Sequence, residues 1–263
     1  MFIEHFQMTD NPFLEQPLDR WLLCDERFEH ALARLKFFRE QGRLALIFGQ
    51  TGVGKSSLLR LFKNELPQNR CHPIFFHITN VSPNAFLRMI VTRLGETPKM
   101  GKDRLFHQVM ARIQNNETDT LLVIDEAHLL ASQTLIDLRL LISAGIDTHL
   151  PLKIVLSGQE SLGTVLKRTE HADLVGRVNV QFRLGALAKS QTISYIDHRL
   201  KCAGATEKLF DSEAKELIHD YSGGIPRSIN NIATACLINA ASKNLKQVNA
   251  QLVNETMTEF HLP

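Results

Sequence analysis

An α/β core built on a parallel sheet, followed by a helical appendage, is the fold that this sequence predicts. Three observations carry that expectation. Short apolar runs alternate with amphipathic helical stretches between residues 43 and 184, the pattern of a parallel sheet covered on both faces. The glycine-rich run Gly49-Gln50-Thr51-Gly52-Val53-Gly54-Lys55-Ser56 lies between one of these apolar runs and a helix. After Leu184 the strand signals stop, and four helical stretches follow.

Taken in order, residues 43–48 (RLALIF) read as a buried strand and Gly49–Gly54 as a glycine-rich turn. Lys55 to Glu65 read as a helix ended by Pro67, since proline lacks the backbone donor a helix needs. Residues 74–79 (IFFHIT) form a second strand. Ser82-Pro83 start a helix, with serine as the cap and proline in the first turn, and it stops near Gly95. Asp103–Asn115 is a further amphipathic helix, and residues 121–125 (LLVID) are an apolar strand that ends in an acid. Ser132 caps a helix through about Ala144. Residues 152–157 (LKIVLS) are a fourth inner strand, while residues 178–184 (VNVQFRL) alternate, as a strand nearer the edge does. Lys189–Lys201, Ser212–Tyr221, Arg227–Ala241 and about Val248–Glu259 read as helices. The chain thus divides into an α/β core, residues 1–186, and a helical subdomain, residues 187–263.

The composition excludes several classes. Of 263 residues, 44% are hydrophobic and 22% charged, a globular balance and not a disordered one. The formal charge of +2 rules out a strongly basic, histone-like binder but leaves room for a local basic patch. The longest apolar runs, such as Leu44–Phe48 and Leu121–Ile124, are strand-sized and far short of the ~20 residues of a membrane helix. Met1–Asp10 has no basic start and no long apolar stretch, so it is not expected to be a signal peptide. Cys24, Cys71, Cys202 and Cys236 lie far apart, with no metal or redox spacing. They read as buried, reduced thiols, and the expected location is cytoplasmic. The helical subdomain holds eight basic and eight acidic residues and is not a DNA-binding tail by charge.

Five signals carry chemistry. The first is the run from Gly49 to Ser56, which fits G-x-x-x-x-G-K-S/T without departure. Its glycines let backbone N–H groups wrap a phosphate chain, and the helix that follows adds a positive N-terminus. Gly49, Gln50, Thr51, Gly52, Val53, Gly54, Lys55, Ser56 and Ser57 are therefore the expected ATP contacts, with Lys55 on the outer phosphates and the Ser56 hydroxyl on Mg²⁺. The second is Asp125-Glu126 at the end of an apolar strand, where Asp125 would hold the magnesium shell and Glu126 would polarise the attacking water. His128, two residues on, reads as a local polar contact. The third is the tip of the strand ending at Ser157, where Gln159, or else Ser157, would sense the terminal phosphate. The fourth is Arg177, ahead of the last core strand, placed to reach a neighbouring subunit's nucleotide, with Arg168 as the alternative. The fifth is Ser222-Gly223-Gly224-Ile225-Pro226-Arg227 at a helix start, where Arg227 would fold onto the phosphates.

In this order, and followed by a helical lid, these signals resemble the AAA+ ATPases. The stretch Gly224-Ile225-Pro226-Arg227-Ser228-Ile229-Asn230 looks like the second sensor of their initiator-like and transposition-helper branches. Phe6 through Pro12-Phe13, with Asp125-Glu126-Ala127-His128 and Leu156-Ser157-Gly158-Gln159, is similar to the ExeA-like (general secretion A) type. The resemblance covers nearly the whole chain. It implies a P-loop core of the additional-strand catalytic E type with a C-terminal helical lid. It also implies ATP at subunit interfaces, in a ring or a filament, with Asn11–Phe13 near the adenine. It assigns Glu126, Arg177 and Arg227 catalytic parts. Gln159 departs from the commoner asparagine or threonine.

Secretion ATPases of this type continue into a membrane helix and a cell-wall-binding domain, whereas this sequence stops at Pro263. The first expectation is thus an ATP-controlled, oligomeric regulator that binds double-stranded DNA and assists a transposase, as the MuB, IstB and TnsC types do, without membrane insertion. The second is a secretion-assembly ATPase acting with a membrane partner, and the third a scaffold that holds ATP with little turnover. For DNA, the segment after the second strand offers Arg88, Arg93, Lys99, Lys102 and Arg104, of which Lys99, Lys102 and Arg104 are the chosen phosphate contacts.

Overall fold

Five strands form one parallel sheet: β1 (Leu44–Phe48), β2 (Cys71–His77), β3 (Asp119–Asp125), β4 (Leu152–Gly158) and β5 (Val178–Arg183). The structure is a computed structural model and describes residues 2–15, 19–67, 69–77, 80–147 and 151–259. The strand order is β2-β3-β4-β1-β5. Strand β4 stands between β1 and β3, which is the additional strand expected of this core. The inner strands are apolar at nearly every position because both faces are covered. The alternating β5 lies at one edge, as its pattern predicts. β2 lies at the other edge and starts earlier than expected. It includes Pro73, a residue an edge strand tolerates. Of its expected end, Ile78 and Thr79 fall outside the described residues.

Helices α1 (Phe2–His5) and α2 (Glu26–Gln41) precede the sheet, and α3 (Lys55–Asn64) follows the glycine-rich turn. Next come α4 (Pro83–Arg93), α5 (Lys102–Gln114), α6 (Ser132–Asp147), α7 (Glu160–Leu166) and α8 (Ala172–Val175). Ser82 caps α4 as expected, its hydroxyl accepting from the Ala85 N–H at 3.3 Å. Ser132, expected to cap α6, lies inside that helix instead and bonds Glu170 and His171. On one sheet face, Leu46, Ile124 and Leu156 pack with Phe86, Ile90, Val109 and Leu138 of α4, α5 and α6. The alternate residues Ile47, Val123 and Val155 are buried too, so the opposite face is covered as well. There Lys63 of α3 lies over the Phe75 ring, and Lys36 of α2 pairs with Glu65.

The chain forms two compact units. One takes in Met1–Arg27, Gly52–Gly54 and Gly185–Pro263, the other Phe28–Thr51 and Lys55–Leu184. The first holds the four expected helices: α9 (Lys189–Cys202), α10 (Ser212–Ser222), α11 (Pro226–Ser242) and α12 (Ala250–Glu259). The N-terminal residues, placed with the core by sequence, thus group with these helices. The reason is apolar burial: Phe6, Met8, Phe13 and Trp21 enter one cluster with Ile196, Phe210, Ile218 and Leu237. Each such side chain contributes about 1.5–3 kcal/mol on burial. Arg199, only 2% exposed, ties the segment down, its guanidinium donating to the Pro12 and Leu14 carbonyls. The Trp21 and Tyr195 rings lie 5.8 and 5.7 Å from that cation.

Candidate functional site

Parallel pairing brings the strand ends level. Ile47 pairs with Ser157 and Phe48 with Gly158, and β3 ends at Asp125 beside them. Ligands of open α/β sheets bind at this carboxyl edge. The loop Gly49–Gly54 leaves β1 there, and the Gly49 N–H continues the pairing onto Gly158 O at 3.2 Å. Gly52 and Gly54 have φ of +85° and +105°, a region that side-chain-bearing residues rarely enter. Gln50 and Thr51 are exposed, whereas Val53 is buried and anchors the loop. Lys55 opens α3 and is 5% exposed, its ammonium donating to Gly49 O at 2.9 Å and Gln50 O at 3.0 Å. A buried cation therefore sits under a loop of backbone amides at a helix N-terminus, an arrangement suited to a phosphate chain. Ser57 follows, half-buried.

Asp125 is the hub. It is 7% exposed, and Ser56 Oγ donates to its Oδ2 at 2.6 Å. Ser157 Oγ donates to Oδ1 at 2.9 Å, and the Glu126 N–H to the same oxygen at 3.0 Å. A hydroxyl and a carboxylate held this close form the oxygen pair that a hard cation such as Mg²⁺ takes, so the donor set fits that ion. Ser157 is committed to orienting Asp125, whereas no described residue hydrogen-bonds the Gln159 side-chain amide.

Glu126 is held in the left-handed region, φ 56° and ψ 33°, where a residue with a Cβ is strained by about 1–2 kcal/mol. Its Oε2 lies 3.5 Å from His128 Nδ1, and the Gln159 N–H points at that same nitrogen, also at 3.5 Å. The local polar contact expected of His128 is present, to Glu126, and the Gln159 N–H adds a second from 31 positions away. The structure makes His128 the group between the acid after β3 and the tip of β4.

Arg177 directly precedes β5, half-buried, with its Nε unpartnered among the described residues. Arg168 stays near Glu170 at 3.9 Å. In the first compact unit, the Arg227 N–H donates to Gly52 O at 3.2 Å. A Cβ on Gly52 would come within 2.7 Å of the Arg227 side chain. The Arg227 guanidinium pairs with Glu15 at 3.2 Å, with side chains 52% and 74% exposed. So open a pair contributes about 0–1 kcal/mol and yields easily. Asn11 and Phe13 are held locally: Asn11 Oδ1 accepts from the Phe13 N–H at 3.0 Å, and Phe13 meets Phe210 edge-on.

The three residues chosen for DNA do not act alike. Lys102 pairs with the buried Asp137 at 2.8 Å, tying α5 to α6, so its charge is already engaged. Lys99 and Arg104 are exposed and line one groove along α5 with His107 and Arg112. Arg88 and Arg93 line a neighbouring one. Of the cysteines, Cys71 and Cys236 are buried, but Cys24 is exposed and Cys202 half-exposed, and none forms a disulfide. No helix among the described residues is long and apolar enough to cross a membrane.

Residues 39–166 match the family profile described as an AAA domain. The matched stretch is just under half of the chain. That stretch contains the glycine-rich loop, Asp125, Glu126, His128 and Gln159, and leaves Arg177 and Arg227 outside. The AAA domain is an ATPase, and the sheet with its C-terminal helices has the P-loop AAA+ fold with a helical lid. The chain is similar to the General secretion pathway protein A of Aeromonas hydrophila, with 27% identity over 258 residues, 94% of this chain. It spans only 46% of that relative's length. The fold is shared with Cdc6p of Pyrobaculum aerophilum (TM-score 0.75, 18% identity, 97% of this chain and 73% of that one). It is shared too with the Drosophila ORC bound to DNA (TM-score 0.73, 19% identity, 98% and 66%).

Proposed function

We propose that this chain is the ATP-driven switch of a secretion-type assembly, acting with a partner as a general secretion A protein would. The observation that carries the reading is the similarity to the Aeromonas protein along 94% of the chain, with the whole Asp125 site inside the matched stretch. This was the second expectation from sequence. The first, a transposase helper, has a transposase as partner, and the relative matched in sequence is named for secretion instead.

In this reading Lys55 and the loop amides bind the phosphates, and Ser56 with Asp125 holds Mg²⁺. Held there, Mg²⁺ would neutralise negative charge on the phosphates. Glu126 takes the proton of the attacking water. Gln159 senses the terminal phosphate, and Arg227 couples nucleotide state to the helices of residues 187–263. Arg177 serves a neighbouring copy in a ring or a filament. Hydrolysis resets the engagement with the partner.

A second reading, nucleotide-dependent binding of double-stranded DNA, has one observation of its own: the groove lined by Lys99, Arg104, His107 and Arg112. Such residues would contact phosphates without reading bases. Fluorescence anisotropy of a labelled duplex, with ATP analogue, ADP or no nucleotide across a salt series, separates the two. The secretion reading expects Mg²⁺-dependent phosphate release with no duplex binding at low salt. Binding that requires the ATP analogue, weakens steeply with salt and falls in a Lys99→Ala, Arg104→Ala variant would overturn it in favour of DNA.

A further inference from the structure

The short turn Ala127–Leu129, which carries His128, packs against β4 and the start of α7. The approach is close: a Cβ on Gly158 would stand 3.1 Å from the His128 backbone nitrogen and 3.1 Å from Leu162. A shift of the β4 tip is therefore transmitted to His128. At the side chain, one ring nitrogen has two claimants. His128 Nδ1 is 3.5 Å from Glu126 Oε2 and 3.5 Å from the Gln159 N–H. A ring nitrogen either carries a proton and donates it, or presents a lone pair and accepts. It can hold the carboxylate or receive the amide, but not both.

We propose that His128 is a positioning residue that restrains Glu126 until the tip of β4 claims its Nδ1. With the tip withdrawn, Nδ1–H binds the Glu126 carboxylate and turns it aside. When Gln159 moves in, its N–H takes the Nδ1 lone pair, the ring proton resides on the other nitrogen, and Glu126 is released toward water. The backbone of Glu126, held at φ 56°, carries the kind of local strain that clusters at active sites and switch regions. The proposal rests on the reading of Glu126 as the base and Gln159 as the phosphate sensor.

The test isolates the Gln159 N–H. Gln159→Ala removes the side chain and keeps the donor, while Gln159→Pro removes both. The Gln159 φ of −78° suits proline. With His128 present, the proline variant should turn over ATP about tenfold more slowly than the alanine variant. In a His128→Ala background the two should agree within about twofold. Equal rates with His128 present, or a difference that survives its removal, would overturn the coupling. If the proline variant does not fold, His128→Ala alone decides. A basal kcat raised threefold or more, with nucleotide Kd within twofold of the parent, supports restraint, and an unchanged or lower kcat refutes it. Glu126→Gln is run beside them. Retained turnover there removes the reading of Glu126 itself, whereas a dead Glu126→Gln with an uncoupled cycle removes only the role of His128.

Discussion

At the scale of single residues, the molecule invests most in Asp125 and Lys55. Asp125 is buried yet accepts from Ser56, Ser157 and the Glu126 N–H, so its charge is supported on both oxygens. Lys55 is a buried ammonium that donates to two loop carbonyls, Gly49 O and Gln50 O, and its full value comes when it faces phosphate oxygens. Lys55→Ala should therefore weaken ATP binding at least tenfold, about 1.4 kcal/mol, in isothermal titration. Binding within twofold of the parent would contradict the phosphate-loop reading. The cysteines allow a second check. Burial raises the thiols of Cys71 and Cys236 to about 11 each. At pH 8 only about one in a thousand of each is the reactive thiolate. Cys24, exposed, should react first with a thiol reagent, and Cys71 and Cys236 only on unfolding. Labelling of either buried thiol at the rate of Cys24 would contradict their burial.

At the scale of elements, α9 does more than its pattern announces. Its Arg199 is buried among rings and carbonyls, and burial pulls the guanidinium below its ordinary pKa without threatening its charge. The reward is a fixed N-terminal segment: Pro12 and Leu14 would otherwise leave their carbonyls unpaired. Arg199→Leu keeps much of the volume and loses those bonds, at a cost of about 3 kcal/mol. The midpoint of thermal unfolding should fall by roughly 5 °C or more, and limited proteolysis should cut the first 15 residues sooner. A midpoint within a degree of the parent would show that the aromatic cluster alone holds the segment. Ser132 teaches a related lesson. Serine before an apolar stretch signals a cap, yet its hydroxyl found Glu170 and His171, residues about forty positions away.

At the scale of the whole molecule, the part proposed for Arg177 depends on how copies meet. Arg177 lies outside the matched AAA stretch with an unpartnered Nε, and a role toward a neighbour's nucleotide is open to a mixing test. Arg177→Ala should bind nucleotide with parental Kd and lose turnover. Mixed with Glu126→Gln, it should regain part of the activity, because some interfaces then hold both intact groups. No recovery from a verified mixed assembly would place the role of Arg177 within its own subunit.

The sequence by itself determined the parallel sheet, the phosphate loop and the acid pair, because each is written in contiguous residues. Leu44–Phe48 announces a buried strand, Gly49–Ser56 a loop and helix start, and Leu121–Glu126 a strand ending in acids. The four C-terminal helices were legible for the same reason. Helices α7 and α8, of seven and four residues, were passed over because so short a span cannot display a helical period. What joins residues distant in the chain was decided by tertiary structure alone. Ser157 meets Asp125 across 32 positions, Lys102 spends its charge on Asp137, and Arg199 reaches back 187 positions to Pro12. Hydrogen bonds and ion pairs of this kind depend on which strands become neighbours, and local propensity carries no record of that choice.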